Sequence, residues 1–386
     1  MDTIIGIIAT LLILGLLVTV HEFGHFIIAK RNGVHVVEFS IGFGPDIISK
    51  TKNGTKYSLK WIPFGGACQM LGADMGLADM EDEEYAKKVE SMEGKSFSEK
   101  SVWARIAILL AGPVFNFLLA FVLALILFAF AGVDTPRVGK TIDGYPAQAA
   151  GIEAGDVIYS INGHRILTQR DLTLYMQFTY KEGPLTVVFE RNGEKHTVEL
   201  VPMEQTQEMA EEEKEQVQQN SPVKEDEDKP ATRRMLIGFQ YMGRENVGAL
   251  RMLRLSGHEV IYWMKLTVKS LGMLFTGKAS VNDLSGPVGI SQIVGNTVSE
   301  TKKDGVGMVI LNLLNLAILF SANLGVMNLL PIPALDGGRL LFCFIEVVRG
   351  KPVSKEKEGY VTIAGALLLL LLMVFVLFND IRKFIM

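Results

Sequence analysis

Residues 21–25 read His-Glu-Phe-Gly-His, an H-E-x-x-H pattern in a chain of 386 residues. On a helix each residue turns by about 100°, so His21 and His25 project from one face, one turn apart, and can share a metal ion. Two imidazoles suit zinc. A catalytic zinc keeps three protein ligands and one open position, and it lowers the pKa of a bound water towards about 7. Glu22 stands beside the ligands, where a general base can take that water's proton as it attacks a carbonyl. A closed structural site would favour four ligands rich in cysteine and would leave Glu22 without a role. Only two cysteines are present, Cys68 and Cys343, in different segments, and they offer no disulfide framework.

One ligand is still missing. His35, His164, His196 and His258 sit in segments that read as ordinary surface or fold positions. Asp336 is the better candidate: it is the first acidic residue after the 31 uncharged positions 305–335, and its carboxylate can complete a His₂Asp set. Pro331 and Pro333, just before it, break a helix and free backbone groups, which a membrane tolerates only beside protein or a water-filled cavity. Asn328 is then available as a hydrogen-bond donor to a substrate backbone or a developing oxyanion. Asn323, one turn earlier, serves either substrate or a neighbouring helix.

The elements that must carry these residues are membrane helices. Hydrophobic residues make up 49 % of the chain and charged ones 21 %, and mean hydropathy is +0.28. The blocks 3–20, 106–133, 305–335 and 359–379 contain no Asp, Glu, Lys or Arg. Because a crossing needs about 20 apolar residues, the expected fold is a polytopic α-helical membrane protein with four transmembrane helices, near 3–25, 106–131, 306–330 and 359–379. The first block lacks a basic flank and a small-residue cleavage site, so it reads as a retained helix rather than a signal peptide. Segment 21–104 carries ten Lys and Arg and segment 336–358 carries five. That bias puts both in the cytoplasm, with the termini and 134–304 on the other side. His21, His25 and Asp336 then share the cytoplasmic side. A net charge of −4 without a basic run argues against nucleic acid as a partner.

Residues 34–66 read as strands, with Asn53-Gly54 as a hairpin turn. Segment 74–100 is acidic and reads as a solvated loop or short helix. Segment 136–202 reads as a small α/β domain: strand 157–161, turn Asn162-Gly163, helix 171–178, then alternating Leu185, Val187 and Phe189, turn Asn192-Gly193, and Val198 and Leu200. Its run AGIEAGDVIYSING resembles a PDZ domain of bacterial proteases. Residues 203–230, with ten acidic residues, cannot bury enough apolar surface to order themselves and read as a mobile insertion. Residues 236–241 are β-like, and 247–276 are amphipathic in the manner of a membrane surface. The expected organisation is therefore a first half of the membrane core at 1–133, with a β-region at 34–72. An extracytoplasmic α/β domain follows at 134–245, then a surface region at 246–304 and the second half of the core at 305–386. No internal repeat is visible.

Taken together, HEFGH at 21–25, GPVFN at 112–116, LSGPVGI at 284–290 and NLLPIPALDGG at 328–338 resemble the site-2 protease family of intramembrane zinc metalloproteases, and within it the bacterial branch that cleaves anti-sigma factors. The resemblance covers nearly the whole chain. It implies zinc held by His21, His25 and Asp336, with Glu22 as general base and substrate handling near Asn328 and Pro331. It also implies that regions 36–45 and 62–72 hold an unwound substrate segment. The implied partners are membrane-spanning proteins of the anti-sigma-factor type, some already cut by a site-1 protease, signal-peptide remnants, and the lipid bilayer of the cell membrane. Two features depart from that pattern: one PDZ-like unit stands where the best-known members carry two, and the acidic insertion at 203–230 matches none of the motifs that carry the resemblance. A membrane-anchored PDZ adaptor with a vestigial metal site is the alternative, and it predicts binding without turnover. A transporter would share the broken helices but shows no inverted repeat here.

Overall fold

The computed structural model describes residues 2–73, 95–204, 235–278 and 286–385. The chain begins with helix α1 (Asp2–Arg31), the long strands β1 (Val36–Lys52) and β2 (Thr55–Met70), and helix α2 (Val102–Ala131). Then come β3 (Val133–Asp134), β4 (Val138–Thr141), α3 (Pro146–Ala149), β5 (Val157–Ile161), β6 (His164–Arg165), α4 (Gln169–Phe178), β7 (Leu185–Arg191) and β8 (Glu194–Leu200). The short strands β9 (Met203–Glu204), β10 (Met235–Leu236), β11 (Phe239–Tyr241) and β12 (Arg244–Glu245) lead into α5 (Ala249–Phe275), α6 (Pro287–Thr301), α7 (Val306–Asn328), α8 (Asp336–Arg349) and α9 (Lys355–Ile385). These elements form two units, one of residues 1–124 with 263–386 and one of residues 125–262. The acidic segment 74–94, most of the insertion 203–230, and Leu284-Ser285 lie outside the described residues.

In the first unit four helices are long and apolar enough to cross a membrane: Ile4–Arg31, Val102–Ala131, Val306–Asn328 and Glu356–Arg382. Apolar runs of this kind take up helix because only there are all backbone groups satisfied within the segment. Most of these helices outrun the charge-free blocks. The first continues six residues past His25 because Phe26-Ile27-Ile28-Ala29 prolongs its apolar run, and Lys30 and Arg31 lie in its last turn, where cations favour the helix dipole. Asn32 Nδ2 then donates to Ile28 O at 2.8 Å, and Gly33 takes a left-handed φ of 68° that ends the helix.

β1 and β2 turn at Asn53 and Gly54, with φ of 51° and 77°, the conformation that favours Asn-Gly in a two-residue hairpin. β1 is paired on both edges. Phe39 and Ser40 register against Cys68 and Ala67 on one side and against Tyr57 and Ser58 on the other. The strand region therefore extends to Met70, further than the hydrophobic alternation alone indicates. Close helix packing depends on glycine. A Cβ on Gly6 of α1 would lie 2.6 Å from Gly295 Cα of α6, and one on Gly325 of α7 would lie 2.5 Å from a ring carbon of Phe117 on α2.

The second unit is built on an antiparallel sheet of order β6-β5-β7-β8, with β4 paired to β11 and β3 to β12. Its core holds Ile158, Ile161, Leu185, Val187 and Phe189 from the sheet, Leu172 and Tyr175 from α4, and Ile237. Asn162 and Asn192 both take positive φ ahead of a glycine, as two-residue hairpin turns require. Asp156 is buried and accepts two hydrogen bonds of 2.8 Å from Arg191, which tie β5 to β7. The amphipathic stretch forms one continuous helix, Ala249–Phe275.

Candidate active site

The site is assembled within the first unit from α1, α2, β2 and the turn before α8. Two small residues let α1 and α2 approach. A Cβ on Gly24 would lie 2.5 Å from Ala111 O, and one on Gly112 would lie 2.4 Å from His25 Nε2 and 2.6 Å from His21 Cε1. The spacer glycine of HEFGH is thus a packing requirement. Against this surface stand His21 and His25, both buried.

Asp336 reaches them from the far end of the sequence. After α7 ends at Asn328, residues 329–335 run as a tight irregular turn, with Ile332 N donating to Leu330 O at 2.7 Å and Leu335 N to Ile332 O at 3.1 Å. Ala334 takes a φ of 76°, unusual for a residue with a Cβ. The two glycines after Asp336 let α8 tuck under that turn, since Cβ atoms there would lie 2.1 Å from Leu330 O and 2.4 Å from Ile332 O. Arg105 Nη2 donates to Glu346 Oε1 at 2.5 Å and ties α2 to α8.

Three ligand atoms converge as a result. His21 Nε2 and His25 Nε2 are 3.2 Å apart, and Asp336 Oδ2 is 3.1 Å from the first and 3.3 Å from the second. A tetrahedral zinc with bonds of about 2.0–2.1 Å spaces its ligand atoms about 3.3 Å apart, so this triangle has the size of one face of its coordination shell. Asp336 Oδ2 is also buried, with the two imidazole nitrogens as its nearest partners, so a cation among them would meet three atoms able to ligate it. The residues therefore fit the metal. Burial alone would raise the Asp336 carboxyl, but the imidazoles of His21 and His25 outweigh it and hold the group well below the ordinary carboxylate range.

Each imidazole is held from behind. His25 Nδ1 lies 2.8 Å from Ile108 O, and His21 Nδ1 lies 3.1 Å from Asn116 Nδ2. Glu22 is steadied by the sheet: Cys68 N donates to Glu22 Oε2 at 2.9 Å. Gly66 lets β2 lie close against β1 here, since a Cβ on it would lie 2.7 Å from Ser40 O. A carboxylate is thus fixed next to His21, in a site where three side chains could hold a metal ion, an arrangement that metal-assisted hydrolysis can use.

The other expected residues divide. Asn328 ends α7, eight positions before Asp336, and its carboxamide makes no hydrogen bond among the described residues. Pro331 is exposed at the start of the turn. Asn323 faces a neighbouring helix instead, its Oδ1 accepting from Thr267 Oγ1. His164, His196 and His258 belong to the second unit, where His196 stacks on Phe189 and His258 Nε2 lies 2.8 Å from Asp171 Oδ1. Sequence reasoning gave no role to Gly112 or Asn116, although both lie in the GPVFN run. Their spacing of four, one small and one polar residue on a single face of an apolar helix, was the available signal.

Residues 9–372 match peptidase family M50. The chain is 32 % identical to the zinc metalloprotease RasP of Bacillus licheniformis, across 98 % of this chain and 99 % of that protein. It is 33 % identical to the RasP of Geobacillus kaustophilus, across 99 % of each chain. A putative zinc metalloprotease of Clostridium acetobutylicum is 35 % identical across 97 % of each.

Proposed function

The chain belongs to peptidase family M50, the site-2 proteases, and is an intramembrane zinc metalloprotease; from that premise we propose that His21, His25 and Asp336 hold the zinc and Glu22 is the general base. The observation that carries this reading is the triangle of 3.1–3.3 Å between the three ligand atoms. When bound, zinc supplies a Lewis acid and a water that ionises near neutral pH. Glu22 accepts the proton of the attacking water and returns it to the leaving nitrogen. Asn328 donates a hydrogen bond to the substrate backbone, and Pro331 shapes the turn beside it.

The substrate is a membrane-spanning segment of another protein, of the anti-sigma-factor type. A helix hides its carbonyls in i to i−4 bonds, so its hydrolysis demands local unwinding. Gly66–Met70 register against Val36–Ile41 of β1, and Cys68 N donates to Glu22 Oε2. An unwound segment added there as a further strand recovers its lost hydrogen bonds and brings a carbonyl beside the base. The Lys and Arg bias supports an active site towards the cytoplasm and an extracytoplasmic second unit. That unit, a single PDZ-like domain by its sequence, acts as a dock or size filter for substrates already shortened outside. The test is a membrane-embedded reporter: Glu22→Gln should keep its zinc and lose cleavage, and a zinc-loaded Glu22→Gln that still cleaves would overturn the mechanism.

A further inference from the structure

The two imidazoles are backed by groups of different capability. Ile108 O, behind His25 Nδ1, can only accept, so that nitrogen carries the ring proton and Nε2 is left bare to bind a metal. Behind His21 Nδ1 stands a carboxamide, which can donate or accept. Asn116 Nδ2 lies 3.1 Å away and donates, which places the proton of a neutral His21 ring on Nε2, the atom facing Asp336 and His25. An imidazole protonated there cannot ligate through it. Meanwhile Asn116 Oδ1 is buried with no hydrogen-bond partner in a residue with no exposed surface. The backbone of Asn116 is pinned from α7, where Ser321 Oγ donates to Asn116 O at 2.7 Å. Only the side-chain amide is left to turn.

We propose that Asn116 is a positioning residue for the metal, whose carboxamide rotates by half a turn to present Oδ1 to His21 Nδ1 when His21 ligates zinc. With Oδ1 facing inward it accepts from His21 Nδ1–H, and His21 Nε2 becomes a ligand. His25 is locked in its binding form by Ile108, whereas His21 is switched by Asn116. This rests on the reading of His21, His25 and Asp336 as the zinc site.

The experiment follows zinc release from the full-length protein in detergent micelles to a chromophoric chelator. Asn116→Leu keeps the volume but removes the acceptor, and should weaken zinc binding about 10- to 100-fold. Asn116→Asp presents only acceptors and should hold zinc as tightly as the wild type or more so. Cobalt substitution reads the coordination directly: Asn116→Asp should keep the visible bands of the wild type and Asn116→Leu should lose them. Equal weakening by both substitutions, or wild-type binding by Asn116→Leu, overturns the inference while leaving the zinc site standing. A wild-type protein that takes up no zinc overturns the site itself. Should Asn116→Leu fail to fold, Asn116→Asp decides alone, since release faster than wild type contradicts an acceptor role.

Discussion

Gly112 offers a quantitative test of how closely the site is built. Alanine there would place a Cβ 2.4 Å from His25 Nε2 and 2.6 Å from the Cε1 atoms of both imidazoles. Ordinary contacts of carbon lie at about 3.5–4.0 Å, so the rings must retreat by about 1 Å. They are not free to do so, because His25 is held by Ile108 O and His21 by Asn116. A retreat of that size is also about a third of the 3.1–3.3 Å separations that define the triangle. Misplacement of a catalytic constellation by about 1 Å costs on the order of 10²-fold in rate, or about 2.7 kcal/mol. Gly112→Ala should therefore lower cleavage of a membrane-embedded reporter about 100-fold and reduce bound zinc measured by metal analysis. Gly272→Ala in α5 is the matched control, since its Cβ meets nothing within 4 Å. It should leave the rate unchanged while strengthening the helix by about 1 kcal/mol. A Gly112→Ala enzyme with full zinc and a rate within about twofold of wild type would refute the reasoning.

Removing the third ligand should be more severe: Asp336→Ala is expected to lose zinc on gel filtration, and undiminished metal content would reject the assignment. In the second unit, burial opposes ionisation of Asp171, but His258 and the backbone amides of Thr168 and Leu167 hold its carboxyl below the ordinary range. A depressed carboxylate contributes stability that is present above the unfolded pKa of about 3.9 and is lost as pH falls through the folded value. Asp171→Asn should cost about 1–2 kcal/mol at pH 7, and the thermal midpoints of variant and wild type should converge below about pH 4; curves that stay parallel would exclude the pairing. Burial also pushes the Cys343 thiol up to about 11. Alkylation of Cys343 at pH 8 should therefore be slow in the folded protein and fast after denaturation, as peptide mass mapping can read.

The parts of this protein that were legible in its sequence are those where one local rule decides. HEFGH announces its chemistry because a helix converts a spacing of four into one face, and the charge-free blocks announce spans because hydrocarbon admits little else. Asp336 could be proposed from its place after an uncharged run. The segment from Ile62 to Met70 lies in the β-region expected at 34–72, but its register was not legible, because its pairing with Val36–Phe43 is long-range and its glycines mask the alternation of a strand. Gly112 and Asn116 stayed silent because their importance arises between helices: one is defined by what a missing Cβ would strike, the other by a ring it meets across 95 residues. Asn323 suited either substrate or a neighbouring helix by its sequence, and in the structure its Oδ1 accepts from Thr267. A lone asparagine in an apolar run does not say which neighbour it faces.

The length of α1 beyond its histidines works as a ruler. Lys30 and Arg31 end a helix that rises about 1.5 Å per residue, so His25 lies about 9 Å and His21 about 15 Å from the charged end, up to half of the roughly 30 Å hydrocarbon thickness. A helical substrate would need six to ten residues to reach that depth, whereas an extended one, at about 3.3 Å per residue, needs only three to five. On the proposed placement of the site, the enzyme would have to open little more than a single helical turn, starting from the interface. The proposed mechanism then predicts a cut whose position is counted in ångströms from the edge of the bilayer, a measure that substrates with unrelated sequences around the cleaved bond would satisfy alike.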